Sequence, residues 1–145
     1  MPRNITEIII HCTATRGNWY ADKPVEDVVA ELTRWHVEDN KWSDCGYHYV
    51  IHSDGTVGSA RPVHKSGAHC RGRNRTSIGV SLVGGRGGCK DDEFLDNYTK
   101  DQDDTLRGLI GDLKQDYPSI TKISGHNEYA SKACPCFSVE DWLIG

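Results

Sequence analysis

The fold is decided by the stretch Ile5-Thr6-Glu7-Ile8-Ile9-Ile10-His11-Cys12-Thr13. It is apolar and rich in β-branched side chains, a composition that favours a buried strand. Polar residues follow at 14–23, so the strand should end there. We therefore predict a central strand that carries His11 at its end. The side chain of Cys12 should point to the opposite face, because successive residues of a strand alternate.

Further strands are predicted where apolar residues recur between turn signals, at residues 47–52, 57–61, 77–84 and 120–124. Helices are predicted from Pro24 to about Asp39, from Thr99 to Pro118, and from Ser138 onward. Thr99 and Gln102 have the spacing of a capping box. The glycines at 84–88 and the acidic stretch after them are interpreted as a surface loop. Strands interleaved with helices predict an α/β fold, a single domain over residues 1–145 with a central mixed β-sheet flanked by helices.

Composition narrows the functional classes. The chain has 145 residues and a formal net charge of −4, which argues against a general nucleic-acid binder. No segment approaches the length of a membrane span. The first residues hold one Arg and a short apolar run, which does not predict an export signal. We therefore expect a protein of the cytoplasm with reduced cysteines.

Two histidines and a cysteine stand out as a candidate metal site. His11 ends the first strand, and the segment His126-Asn-Glu-Tyr-Ala-Ser-Lys132-Ala-Cys134-Pro135 supplies His126 and Cys134. Two imidazoles and one thiolate can hold zinc and leave a fourth position open for water. Spacing alone leaves alternatives open, since a buried strand histidine is often only hydrogen-bonded and Cys134-Pro135-Cys136 could be a turn without metal.

Several blocks of sequence, in order, resemble the zinc-dependent N-acetylmuramoyl-L-alanine amidases, above all the amidase-type lysozymes of tailed phages, which are related to peptidoglycan recognition proteins. The blocks are residues 9–13, 35–36, 46–57, 66–69, 74–85, 126–128 and 132–135. Together they extend over residues 5–142. The resemblance implies an enzyme that cleaves the amide bond between N-acetylmuramic acid and L-alanine in peptidoglycan, with one Zn²⁺ per chain.

The resemblance also implies roles for individual residues. His11, His126 and Cys134 become the zinc ligands, and Tyr47 and Lys132 become the catalytic side chains. His69 and Asn74 are expected to bind substrate. Two more histidines that match the family, His36 and His48, follow helix and strand periodicity and are interpreted as structural or supporting. The chain is expected to act as a monomeric phage or prophage endolysin, which accumulates in the host cytoplasm and reaches the wall once the membrane is breached.

Two other functions remain open at this stage. A non-catalytic peptidoglycan-binding module would lack part of the ligand set. A cysteine hydrolase would use Cys12 or Cys134 with a histidine and would not need a metal. The stem-peptide preference is also open, because His64-Lys65 matches neither familiar pair of the recognition proteins.

Overall fold

A computed structural model describes residues 3–145. Five strands form one sheet: β1 (Glu7–Cys12), β2 (Tyr49–Ile51), β3 (Val57–Ser59), β4 (Ser77–Leu82) and β5 (Lys122–Gly125). Their order is β3-β2-β4-β1-β5, with β2, β4, β1 and β5 parallel and β3 antiparallel at one edge. The mixed α/β sheet predicted from the sequence is thereby confirmed, with β1 between two partners.

Within residues 3–145, four α-helices accompany the sheet: α1 (Val25–Arg34), α2 (Phe94–Asn97), α3 (Lys100–Asp116) and α4 (Val139–Ile144). The α1 helix continues as one wider π turn over Trp35–Asp39, which matches the predicted end near Asp39. The α3 helix begins with the predicted capping box, in which Thr99 Oγ1 accepts from the Gln102 N–H and Gln102 accepts from the Thr99 N–H. Ser138 caps α4 by accepting from the Asp141 N–H.

The two faces of the sheet differ in what they carry. Residues with even numbers in β1 and β4 point to one face, where Ile8, Ile10, Ile78, Val80 and Leu82 pack in the main core with α3 and α4. Odd-numbered residues point to the other face. There Glu7, Ile9 and His11 lie beside Ser77, Gly79 and Ser81 of β4, in register. The small residues of β4 leave room above this part of the sheet.

The sequence interpretation of the segment after Gly84 as a plain surface loop is wrong for its second half. Phe94 begins α2, and both Phe94 and Tyr98 are buried in the main core. Asp96 accepts from the Glu93 N–H at 2.9 Å and so caps the first turn. Acidic residues dominate the composition of this segment, so its amphipathic turn was not recognised in the sequence. Its apolar residues pack on Phe137.

Candidate metal centre and groove

His11, His126 and Cys134 come together at one edge of the sheet. His11 lies near the end of β1, His126 follows β5 directly, and Cys134 lies in the next loop. The potential ligand atoms of the three side chains all lie within 4.8 Å of one another. Parallel neighbours β1 and β5 end on the same side, which explains how residues more than a hundred positions apart meet. Cys12, as expected for the opposite face, is not among these three.

The protonation states suit metal binding. Burial, and then the neighbouring His69, His126 and Lys132, lower the pKa of His11 well below its usual value. Burial and Lys132 also lower the pKa of His126. Both imidazoles are therefore neutral near pH 7, which is the form that binds metals. The donor set of two neutral imidazoles and one thiol fits zinc.

The thiol of Cys134 is held by its neighbour Cys12. The Cys12 backbone N–H donates to Cys134 Sγ at 3.2 Å. The hydrogen-bonded Cys12 thiol, burial and the Cys12 charge together raise the pKa of Cys134. A nearby cation would reverse that tendency, because a metal ion stabilises the thiolate directly. The backbone N–H is well placed to support the anionic form.

A pocket of 300 Å³ opens beside these three residues and is lined also by Tyr47, His69 and Lys132. It shares Trp42, Ala68, His69, His126 and Lys132 with a second depression of 420 Å³, which extends past Asn74 to Tyr129. The two depressions form one groove. Its size and open shape suit a polymeric substrate that crosses the metal centre.

Tyr47 and Lys132 both border the metal centre. The ring of Tyr47 lies 5.3 Å from the ring of His11, between centroids. Burial raises the pKa of Tyr47, so its phenol keeps the proton and can donate a hydrogen bond. Lys132 is exposed at the mouth of the pocket, and its charge reaches His11 and His126. The structure thus brings both predicted catalytic side chains to the predicted ligands.

His36 has a supporting contact close to Tyr47. Its Nδ1 accepts from the Gly46 N–H at 2.8 Å, and its ring lies 5.5 Å from that of Tyr47. Gly46 is required here because a Cβ would lie 2.4 Å from the Ala68 carbonyl oxygen. His48, on the other side of Tyr47, accepts from the Gly79 N–H and bonds the Lys65 carbonyl. Both histidines fasten the segment that carries Tyr47.

His69 and Asn74 line the groove but are engaged within the protein. The His69 ring is 7% exposed and bonds His11 and Ser77. Asn74 Oδ1 accepts from the N–H groups of His69 and Cys70, both at 2.9 Å. Contact of either residue with substrate stays a prediction, and the observed role of both is to build the groove wall.

The sequence did not reveal the residues that hold the loop around Cys134. Asn127 Nδ2 donates to the Ala133 and Phe137 carbonyls at 3.3 and 3.2 Å. Tyr98 donates to the Pro135 carbonyl at 2.6 Å. An Asn beside a ligand and a Tyr after an acidic stretch give no pattern that would predict these bonds. All six cysteines lie within residues 3–145 and are free thiols.

Within residues 3–145, no helix combines the length and apolar character needed to cross a membrane.

Comparisons with known proteins bear on the family and the fold of the chain. The profile of the N-acetylmuramoyl-L-alanine amidase family matches residues 1–137. The endolysin of Escherichia phage T7 is 41% identical over 138 residues, which cover 93% of this chain and 83% of that protein. The amidase LysC from Clostridium intestinale superposes with a TM-score of 0.77 at 25% identity, covering 99% and 85% of the two chains. Drosophila PGRP-LB has the same fold, with a TM-score of 0.74 at 22% identity and coverages of 92% and 75%.

Proposed function

The chain belongs to the N-acetylmuramoyl-L-alanine amidase family, and we propose that it performs the family's hydrolysis with one zinc ion bound by His11, His126 and Cys134. The bond cleaved is the amide between N-acetylmuramic acid and L-alanine in peptidoglycan. The observation that carries the zinc proposal is the convergence of two neutral imidazoles and a thiol at one edge of a groove. Since three ligands leave a fourth position open, the site suits catalysis.

The side chains around the ligands have complementary parts in this reaction. His11, His126 and Cys134 would hold the zinc ion, which would supply Lewis acidity toward the scissile carbonyl and a lowered pKa for a bound water molecule. Tyr47 is protonated and donates a hydrogen bond to the carbonyl oxygen of the substrate. Lys132 places a positive charge where the oxyanion of the tetrahedral intermediate develops. Of the alternatives, the non-catalytic module is disfavoured because all three candidate ligands are present and converge. The cysteine hydrolase predicts activity that survives metal removal.

The groove is the proposed binding surface for the muramoyl peptide. It runs from the pocket at Lys132 past His69 and Asn74, so a glycan-linked peptide can cross the metal centre without entering a closed cavity. We propose that the protein is a monomeric endolysin that accumulates in the cytoplasm of the producing cell and cleaves the wall from within. The relatives named endolysin support the endolysin part of this proposal.

Digestion of purified peptidoglycan, followed by mass spectrometry, tests the function. The expected products are intact stem peptides that begin with L-alanine and glycan strands with free lactyl groups. A chelator should abolish both, and zinc should restore them. New reducing sugar ends, or new amino termini inside the stem peptide, would contradict the proposed bond. Undiminished cleavage after complete metal removal would contradict the zinc proposal and would favour the cysteine-hydrolase alternative.

A further inference from the structure

A continuous chain of hydrogen bonds leads from a backbone carbonyl to the candidate ligand His11. Ser77 Oγ donates to the Arg73 carbonyl at 2.7 Å. His69 Nε2 lies 3.2 Å from the same Ser77 Oγ, and His69 Nδ1 lies 2.8 Å from His11 Nε2. Ser77 is fully buried, and His69 is nearly so. The Ser77 end of this hydrogen-bond chain is therefore out of reach of bulk water, while His69 borders the groove.

The direction of every bond in this chain follows from its first member. A carbonyl oxygen only accepts, so the single hydroxyl proton of Ser77 is committed to Arg73. Ser77 Oγ can then only accept from His69, which places the His69 proton on Nε2. A neutral imidazole has one protonated nitrogen, so His69 Nδ1 is an acceptor. The proton between the two rings must then belong to His11 Nε2.

We propose that His69 is a positioning residue that fixes His11 in the tautomer with its proton on Nε2, leaving the Nδ1 lone pair for zinc. The opposite direction would place a proton of His69 on the His11 Nε2 lone pair and the His11 proton on Nδ1, and His11 would then have no nitrogen free for a metal. Metal-binding histidines commonly donate their other ring N–H in this way, and such partners orient the ring.

The surrounding backbone is shaped to hold the His69 ring. A Cβ at Gly79 would lie 2.6 Å from His69 Cγ, closer than atoms can approach. A Cβ at Gly67 would lie equally close to His69 Cδ2. Asn74 fixes the backbone N–H of His69 from the other side. The ring is thus confined between the backbone at Gly79 of β4, the loop backbone at Gly67 and the His11 imidazole.

The inference rests on the proposed zinc site, and zinc affinity is its first test. His69→Leu removes the acceptor for His11 and should weaken zinc binding about 10- to 100-fold in a chelator competition assay. His69→Asn places an amide oxygen near the position of Nδ1 and should recover most of the affinity. Gly79→Ala retains His69 but displaces its ring, so it should weaken zinc binding as well. Thermal unfolding of each variant checks that the fold is intact.

The proton position is read directly by NMR of the zinc-loaded wild-type protein labelled with ¹⁵N. The His11 ring should show its proton on Nε2. A proton on His11 Nδ1, or equal zinc affinity in folded His69→Leu and wild type, would overturn the positioning role. An Asn variant no better than the Leu variant would overturn it too. A wild-type protein that binds no zinc would instead contradict the proposed function, so the two failures are distinguishable.

Discussion

His11 and Cys134 approach the same point by different means. His11 belongs to β1, which is paired with β4 on one side and β5 on the other, so the backbone ladder sets its position. Cys134 belongs to a loop that is held by side chains, chiefly Asn127 and Tyr98. The difference shows that one half of the metal centre is a property of the sheet. The other half depends on a few individual hydrogen bonds.

In the loop half, Cys134→Ser should cause the greatest loss of bound zinc and activity, because it removes the thiolate. The zinc content should fall from about one equivalent to a small fraction in elemental analysis, because only the two imidazole ligands remain. Activity should be lost as well. Cys136→Ser is the matched control. Cys136 is not one of the three candidate ligands, and its thiol donates to the Gly85 carbonyl, so its variant should keep the metal. Undiminished zinc in Cys134→Ser would remove this residue from the site.

The second-largest loss of activity is expected for Lys132→Ala, which is also in the loop half. It should retain zinc and fold but lower kcat by roughly 100-fold, the typical value of one donor to an oxyanion. Tyr47→Phe, just before β2, should show a similar loss because it also removes one donor. The exposed Lys114→Ala on α3 serves as the charge-matched control for kinetics on soluble muropeptides. Near wild-type rates in both Lys132→Ala and Tyr47→Phe would refute the catalytic assignment.

Two variants, one in the loop and one in β1, test whether zinc affinity depends on the loop more than on the sheet. Asn127→Ala frees two carbonyls of the loop and should weaken zinc binding about 10-fold, since each lost hydrogen bond is worth about 0.5–1.5 kcal/mol. Ile10→Val in β1 should lower the free energy of unfolding by about 0.5–1.5 kcal/mol and leave zinc affinity unchanged. Chelator competition and urea unfolding measure the two quantities. Equal changes of zinc affinity in both variants would contradict the distinction between the sheet half and the loop half.

The smallest expected effect concerns pH and the sheet half. Burial, the largest cause, lowers the pKa of His48 to about 4. The folded pKa thus lies below the unfolded value, so His48's contribution is complete above about pH 6.5. It is lost as the pH falls from there toward 4, at up to about 1.4 kcal/mol per pH unit.

His48→Gln should therefore make the fall of unfolding free energy with acid shallower over that range. Urea unfolding at a series of pH values measures the slope. His64→Gln alters a solvent-exposed histidine and should leave the slope as in the wild type. A slope in His48→Gln as steep as in the wild type would contradict the argument.

In the sheet half, the strand that carries His11 could be predicted because an apolar, β-branched run is a signal in the sequence itself. The β-branched run places His11 near the end of β1, and the apolar segment 77–84 predicts the strand observed as β4, both without knowledge of the rest of the chain. In the loop half only the candidate ligands His126 and Cys134 could be named; residue type and spacing left alternatives open for them, and the resemblance implied their role. Asn127, Tyr98 and the Cys12 N–H could not be predicted, because each acts on a partner fixed by tertiary structure. The same holds for Ser77 and His69, whose bonds depend on the packing of three segments.

The alternation of small and large residues in β4 has a consequence for mutational tolerance. Ile78, Val80 and Leu82 face the main core, whereas Ser77, Gly79 and Ser81 face the imidazoles. In a library that randomises β4, substitutions at the even positions will be filtered by whether the protein survives in the cell. Substitutions at the odd positions will instead yield soluble chains without lytic power. In one strand, the even positions would thus be selected for folding and the odd positions for activity.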